Sequence, residues 1–142
     1  MSSALERLKN LTKKISSYEL SRKNNLEKLR VLYEELGIVT KVHNFEALFN
    51  FKAINLSGVS LQSETLGEIK EGKYLQILAI SYDKAASKKS TNTSLGYFGR
   101  VENVESDLKN KIVEFVIRYR FEKSFITLEH YNGMLEKFGD GD

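Results

Sequence analysis

The feature that most restricts this chain is a seven-residue repeat in its first 36 residues. Leu8, Leu11, Ile15, Tyr18, Arg22, Asn25, Leu29, Leu32 and Leu36 follow one another at alternating spacings of three and four. That spacing sets all nine side chains on one seam of a helix, and seven of them are apolar. A helix with so narrow a stripe must lie against another helix to hide it. No second pattern of matching length is evident in the sequence, so the seam predicts pairing with another chain.

The helix is predicted over Leu5–Leu36, with Ser2 or Ser3 placed to cap it and Gly37 placed to end it. Its middle is weak, because Arg22 and Asn25 occupy seam positions and Ser16, Ser17, Ser21 and Asn24 are poor helix formers. Two readings stay open. Asn25 sets the register of a parallel pair, or the helix bends and frays between two shorter apolar blocks.

After Gly37 the texture changes to short β-branched and aromatic runs. Strands are predicted at Ile38–His43, Ala47–Leu56, Thr65–Lys70, Lys73–Tyr82 and Leu95–Val104, with Glu71-Gly72 as a tight turn. Between the last two, Asp83–Ser94 is a polar loop. Residues 107–121 fit either a strand, from the alternation of Val113, Phe115, Ile117, Tyr119 and Phe121, or a helix face of Leu108, Ile112, Phe115, Val116 and Tyr119. Lys123–Phe138 carries a helical stripe of Leu128, Tyr131, Leu135 and Phe138, with Gly139 to stop it. The expected fold class is α+β: a long N-terminal coiled-coil helix, an antiparallel sheet of four or more strands, and one or two C-terminal helices. The expected organisation is a coiled-coil helix at 1–37, a globular head at 38–139 and a disordered tail at 140–142.

Chemistry is sparse. There is no cysteine, and the two histidines, His43 and His130, stand apart from any Ser/Asp pattern of triad type. No metal site, cofactor or catalytic constellation is expected, and the chain reads as a non-enzyme. Gly96-Tyr97-Phe98-Gly99 lacks the lysine of a phosphate loop, and it lies in a strand pattern rather than between two helices. The net charge of +3 rests on 22 basic against 19 acidic residues, closer to a mixed solvated surface than to a phosphate-binding face. No run is long and apolar enough for a membrane span and no signal peptide is evident, so an intracellular protein is expected.

Two groups of residues are candidates for binding. Lys84, Ser87, Lys88, Lys89 and Ser90 form a loop suited to phosphate contact or to phosphorylation, or simply a polar connector. Tyr97, Phe98 and Arg100 are candidates for a stacking platform for single-stranded nucleic acid.

The segment Leu32-Tyr33-Glu34-Glu35-Leu36, followed by Val39-Thr40-Lys41-Val42-His43 and Leu48-Phe49-Asn50-Phe51, resembles the entry into the RWD-type heads of coiled-coil kinetochore proteins. These include the monopolin core subunit and the short stalk subunits of the microtubule-binding kinetochore complex. Leu108, Ile112 and Phe115, with Phe125, Tyr131 and Leu135, resemble their closing helices. The resemblance implies a nuclear, dimeric adaptor in a chromosome-segregation assembly, whose head takes a protein partner. The homo- or heterodimer would form through the N-terminal helix, and no single binding residue carries over. The rival expectations are a single-strand nucleic-acid accessory protein and a small viral or plasmid inhibitor of a host enzyme.

Overall fold

The structure is a computed structural model and describes residues 3–82 and 91–140, excepting the side chains of residues 12–16 and 140. The candidate loop residues Lys84, Ser87, Lys88, Lys89 and Ser90 therefore lie outside the described residues.

The first helix, α1 (Ala4–Glu35), starts where the sequence predicts. The Ser3 hydroxyl accepts the Glu6 N–H at 3.1 Å, satisfying one of the open amides of the first turn. It ends at Gly37, whose φ of 73° reverses the chain in a conformation that favours glycine. The next segment was expected to be strand and is not. Ile38–Thr40 and Phe45–Asn50 are 3₁₀ turns. Local side-chain bonds close them: the Thr40 hydroxyl donates to the Gly37 carbonyl at 2.8 Å, and Asn44 Oδ1 accepts from the Glu46 N–H at 3.1 Å. Such bonds offer the backbone an alternative to a sheet ladder. Ile38, Phe45 and Leu48 are the buried positions there, which is not an alternating set.

The sheet is a three-stranded antiparallel meander in the order β1 (Ala53–Ser57), β2 (Tyr74–Ser81), β3 (Thr91–Arg100). This corrects the expectation of four or more strands. Of the five predicted, Lys73–Tyr82 survives almost unchanged as β2, and parts of two others become β1 and β3. Thr65–Lys70 contributes only an isolated bridge, Val59 to Ile69, because the segment closes on itself through Ser60 Oγ and Thr65 Oγ1 at 2.6 Å. Ile54, Leu75, Ile77, Ala79 and Leu95 form the buried face. The β2–β3 register shifts twice, between Tyr74 and Gln76 and between Ile77 and Leu78.

The second helix, α2, runs unbroken from Ser106 to Asp140. Helix wins over strand at 107–121 because Ile112, Phe115, Val116, Tyr119 and Glu122 are buried with a helical period. Ile117 and Phe121, which a strand would place inside beside Tyr119, are both 41% exposed. Gly139 does not stop the helix.

At 35 residues, α2 is longer than the 32 of α1, so the longest helix is the C-terminal one. The reading of α1 as a coiled-coil helix without a partner in its own chain is thereby overturned. The two run antiparallel, as shown by pairs Glu35–Lys111, Asn25–Arg118 and Arg22–Glu122. Leu29, Leu32 and Tyr33 of α1 belong to the same core as the sheet and α2. Edge-on and stacked rings link Tyr33, Phe45, Phe49 and Tyr119 at centroid distances of 5.4, 5.7 and 5.6 Å. These contacts pin the 3₁₀ segment between the two helices.

Candidate functional site

The two polar seam residues of α1 are where it grips α2. The Arg22 guanidinium donates to both carboxylate oxygens of Glu122, from Nε at 3.0 and 3.1 Å and from Nη2 at 2.8 Å. Nη1 reaches Glu129 at 2.9 Å, and the group lies over the Phe125 ring at 5.4 Å. The Glu122 side chain is only 4% exposed, whereas that of Arg22 is 28% exposed. The fork geometry suits a planar guanidinium and not a lysine. The bond to Glu122 raises the Arg22 pKa further above its ordinary value.

One turn further, Asn25 donates from Nδ2 to the Arg118 carbonyl at 3.0 Å and accepts from Arg118 Nη1 at 3.0 Å. Arg118 also donates to Glu114 at 2.7 Å. Asn25 therefore sets the register of a helix pair, but the pair is antiparallel and within one chain. Neither bending nor fraying is needed to explain these polar residues.

Of the nine seam residues, Leu29, Leu32 and Asn25 are buried in the chain's own core, and Leu36 packs against it. Arg22 is engaged by α2. Leu8, Leu11 and Tyr18 are exposed, and the Ile15 side chain lies outside the description. The seam thus divides at Arg22 into a half spent inside and a half that faces outward.

Beyond this clasp both helices project as an arm. From Ser3 to Ser21 and from Thr127 to Gly139, every described residue is exposed apart from Gly133. At 1.5 Å per residue these segments reach about 27 and about 20 Å. They carry Leu5, Leu8, Leu11 and Tyr18 on α1 and Leu128, Tyr131, Met134, Leu135 and Phe138 on α2, all between 52% and 84% exposed. The α2 stripe also continues into the head. Val113, Ile117 and Phe121 line a groove of about 350 Å³ beside Asn25 and Arg118, and the Phe121 and Phe125 rings meet edge-on at 4.9 Å.

The stacking platform is only partly assembled. Tyr97 is exposed on the outer face of the sheet, and its neighbour is Tyr74, at 5.9 Å between centroids. Phe98 turns the other way and packs against the core. Arg100 pairs with Glu102 at 3.3 Å, and Glu102 also accepts from the Gly72 N–H, a bond that holds its carboxyl below the usual range. The Arg100 charge is thus balanced locally, which leaves little pull for a phosphate.

His43 Nδ1 lies 3.1 Å from the Val39 carbonyl, and the His130 ring stands against Tyr131. No cluster of three or more metal-ligating side chains occurs among the described residues. No helix among them is long and apolar enough to cross a membrane.

Sequence reasoning did not find Glu122 or Tyr74, and it read the stripe of Leu128, Tyr131, Leu135 and Phe138 without matching it to α1. The signal for the match was present in the spacing: 128, 131, 135 and 138 repeat the steps of three, four and three at 8, 11, 15 and 18, a pattern that reads the same in either direction. A search of known protein families, characterised proteins and solved structures finds nothing that matches the chain.

Proposed function

We propose that the protein is a non-enzymatic interaction module in which the head holds two helices in register and their projecting parts form the docking arm. The observation that carries this reading is the concentration of exposed apolar side chains beyond the clasp: the two segments hold the nine named above and Leu20, ten of the fourteen large apolar side chains that are more than half exposed among the described residues. Contiguous apolar surface of this size is characteristic of protein interaction sites. Exposed helices of 13 to 19 residues are also marginal alone in water and gain stability chiefly by packing an apolar face. The resemblance to coiled-coil kinetochore subunits supplies a setting for such a module, a nuclear assembly in which an arm joins a head to its neighbours.

A stability measurement tests the reading. Replacing Leu11, Leu128 and Leu135 together by Gln should change the unfolding free energy of the head by no more than about 1 kcal/mol, since exposed positions contribute little. It is measured at sub-micromolar protein, where association adds least. A loss of about 3 kcal/mol or more would mean that these leucines serve the chain's own fold and not a partner.

A further inference from the structure

The occupant of the arm can be narrowed by geometry, area and charge. The pairs between α1 and α2 set an antiparallel register in which the numbers of facing residues sum to about 143–146, from Asn25–Arg118 and Arg22–Glu122 to Glu35–Lys111. Carried outward, that register brings Tyr18 level with Leu128, Leu11 with Leu135 and Leu8 with Phe138. Each of these side chains nevertheless stays at least 55% exposed. One hairpin of helices therefore leaves its own apolar layers open on a side.

The open area is large enough for a stable contact. Three of the nine side chains are aromatic, each burying ~150–250 Å² when covered. Together the nine offer on the order of 1,000 Å² per chain, against about 800 Å² per partner in a standard interface.

The charges on the two segments are opposite. Residues 4–21 hold Arg7, Lys9, Lys13 and Lys14 against Glu6 and Glu19, a net +2. Residues 127–140 hold Glu129, Glu136 and Asp140 against Lys137, a net −2. A face made of one positive and one negative helix is complementary to itself after rotation by 180° about an axis parallel to the helices. That rotation lays α1 of one chain on α2 of the other, keeps every neighbouring pair antiparallel and sets both heads at the same end. The alternative two-fold, perpendicular to the helices, lays α1 on α1 and opposes like charges.

Taking these together, and resting on the arm being the docking element, we infer that its occupant is a second copy of this chain. The two arms close into an antiparallel four-helix bundle with α1 against the partner's α2. This is an arrangement of two hairpins and differs from the pairing of N-terminal helices alone. The apolar layers of the four helices meet at the levels of residues 11 and 135, and of 18 and 128.

Because the chain has no cysteine, single cysteines report on this arrangement without background. Full-length protein is first examined by light scattering and sedimentation up to about 200 μM, well above the micromolar Kd range. The expected result is a species of twice the 16.3 kDa chain mass. The chain carrying Leu11→Cys is then mixed with the chain carrying Leu135→Cys under oxidising conditions. The mixture should give a disulfide-linked dimer in at least fivefold excess over either variant alone, and the two positions are exposed, so the head stays folded. A linked dimer from Leu11→Cys alone, or a mass of 16.3 kDa at every concentration, overturns the inference. In the second case, amide exchange separates the two readings. A monomer whose arm amides exchange freely while the head is protected leaves a different partner for the arm; a monomer whose arm is protected as well as the head removes the docking reading too.

Discussion

The clasp makes an asymmetric prediction about its two members. Replacing Arg22 by Met keeps the apolar stem but removes the guanidinium that lies over Phe125, and it strands the Glu122 carboxylate, only 4% exposed, without its bidentate donor. Removing one partner of a buried pair costs about 3–5 kcal/mol. The lower end applies here, because the Arg22 side of the pair reaches water at 28% exposure. Replacing Glu122 by Gln is milder. The guanidinium keeps Glu129 at 2.9 Å and its access to solvent, and the amide oxygen still accepts, so about 1 kcal/mol is expected. The double variant Arg22→Met/Glu122→Leu removes both charges, and its loss should be smaller than that of Arg22→Met alone. Urea unfolding followed by far-UV circular dichroism at one low protein concentration measures all three. The Arg22→Met variant should also melt about 10 °C lower, taking about 3–4 °C per kcal/mol for a chain of this size. The reasoning fails if Arg22→Met costs less than Glu122→Gln, or if the double variant is less stable than Arg22→Met.

Two further outcomes follow from the head. Burial holds the Tyr119 hydroxyl well above the usual tyrosine range, so the folded state retains a proton that the unfolded chain releases near pH 10. Stability is then full below about pH 10 and falls as pH rises beyond it; Tyr119→Phe should flatten that alkaline limb in a urea series, while losing about 1 kcal/mol at neutral pH with the bond to the Phe51 carbonyl at 3.2 Å. Gly58 has a φ of 92°, and a Cβ there would sit 2.7 Å from the Tyr74 carbonyl oxygen, whereas Gly37 at φ 73° faces open space. Gly58→Ala should therefore cost at least about 1 kcal/mol more than Gly37→Ala in the same unfolding assay, the latter costing only its own backbone strain of ~1 kcal/mol.

Local chemistry was readable in the sequence where one signal acted alone. Ser3 and Gly37 mark the ends of α1, and the long alternating run at 73–82 is β2. Reading failed where two signals competed. At 38–50, β-branched and aromatic residues suggested strands, but Thr40, Asn44 and the burial of Ile38, Phe45 and Leu48 favour turns. At 107–121 the alternation and the helical period coincided, and only the pattern of burial separates them. The largest error came from treating the first helix by itself. Its partner is encoded about 100 residues away, in a segment that packs antiparallel to it, and nothing local to either segment reports the match. For the same reason Arg22 and Asn25 looked like defects in a seam when they are its attachment points.

The clasp joins residues 100 apart in sequence, and this shapes how the chain can be made. The inward face of α1 leaves the ribosome long before the residues that will cover it. At about 5–20 residues per second, some 5–20 s pass before Glu122 is synthesised. During that interval Leu29, Leu32 and Tyr33 have no mature core to enter, and the β-meander lacks the cover that α2 supplies through Ile112, Phe115, Val116 and Tyr119. Completion of the head is thus deferred until α2 emerges, and until then the apolar faces of α1 and of the sheet stay open to water.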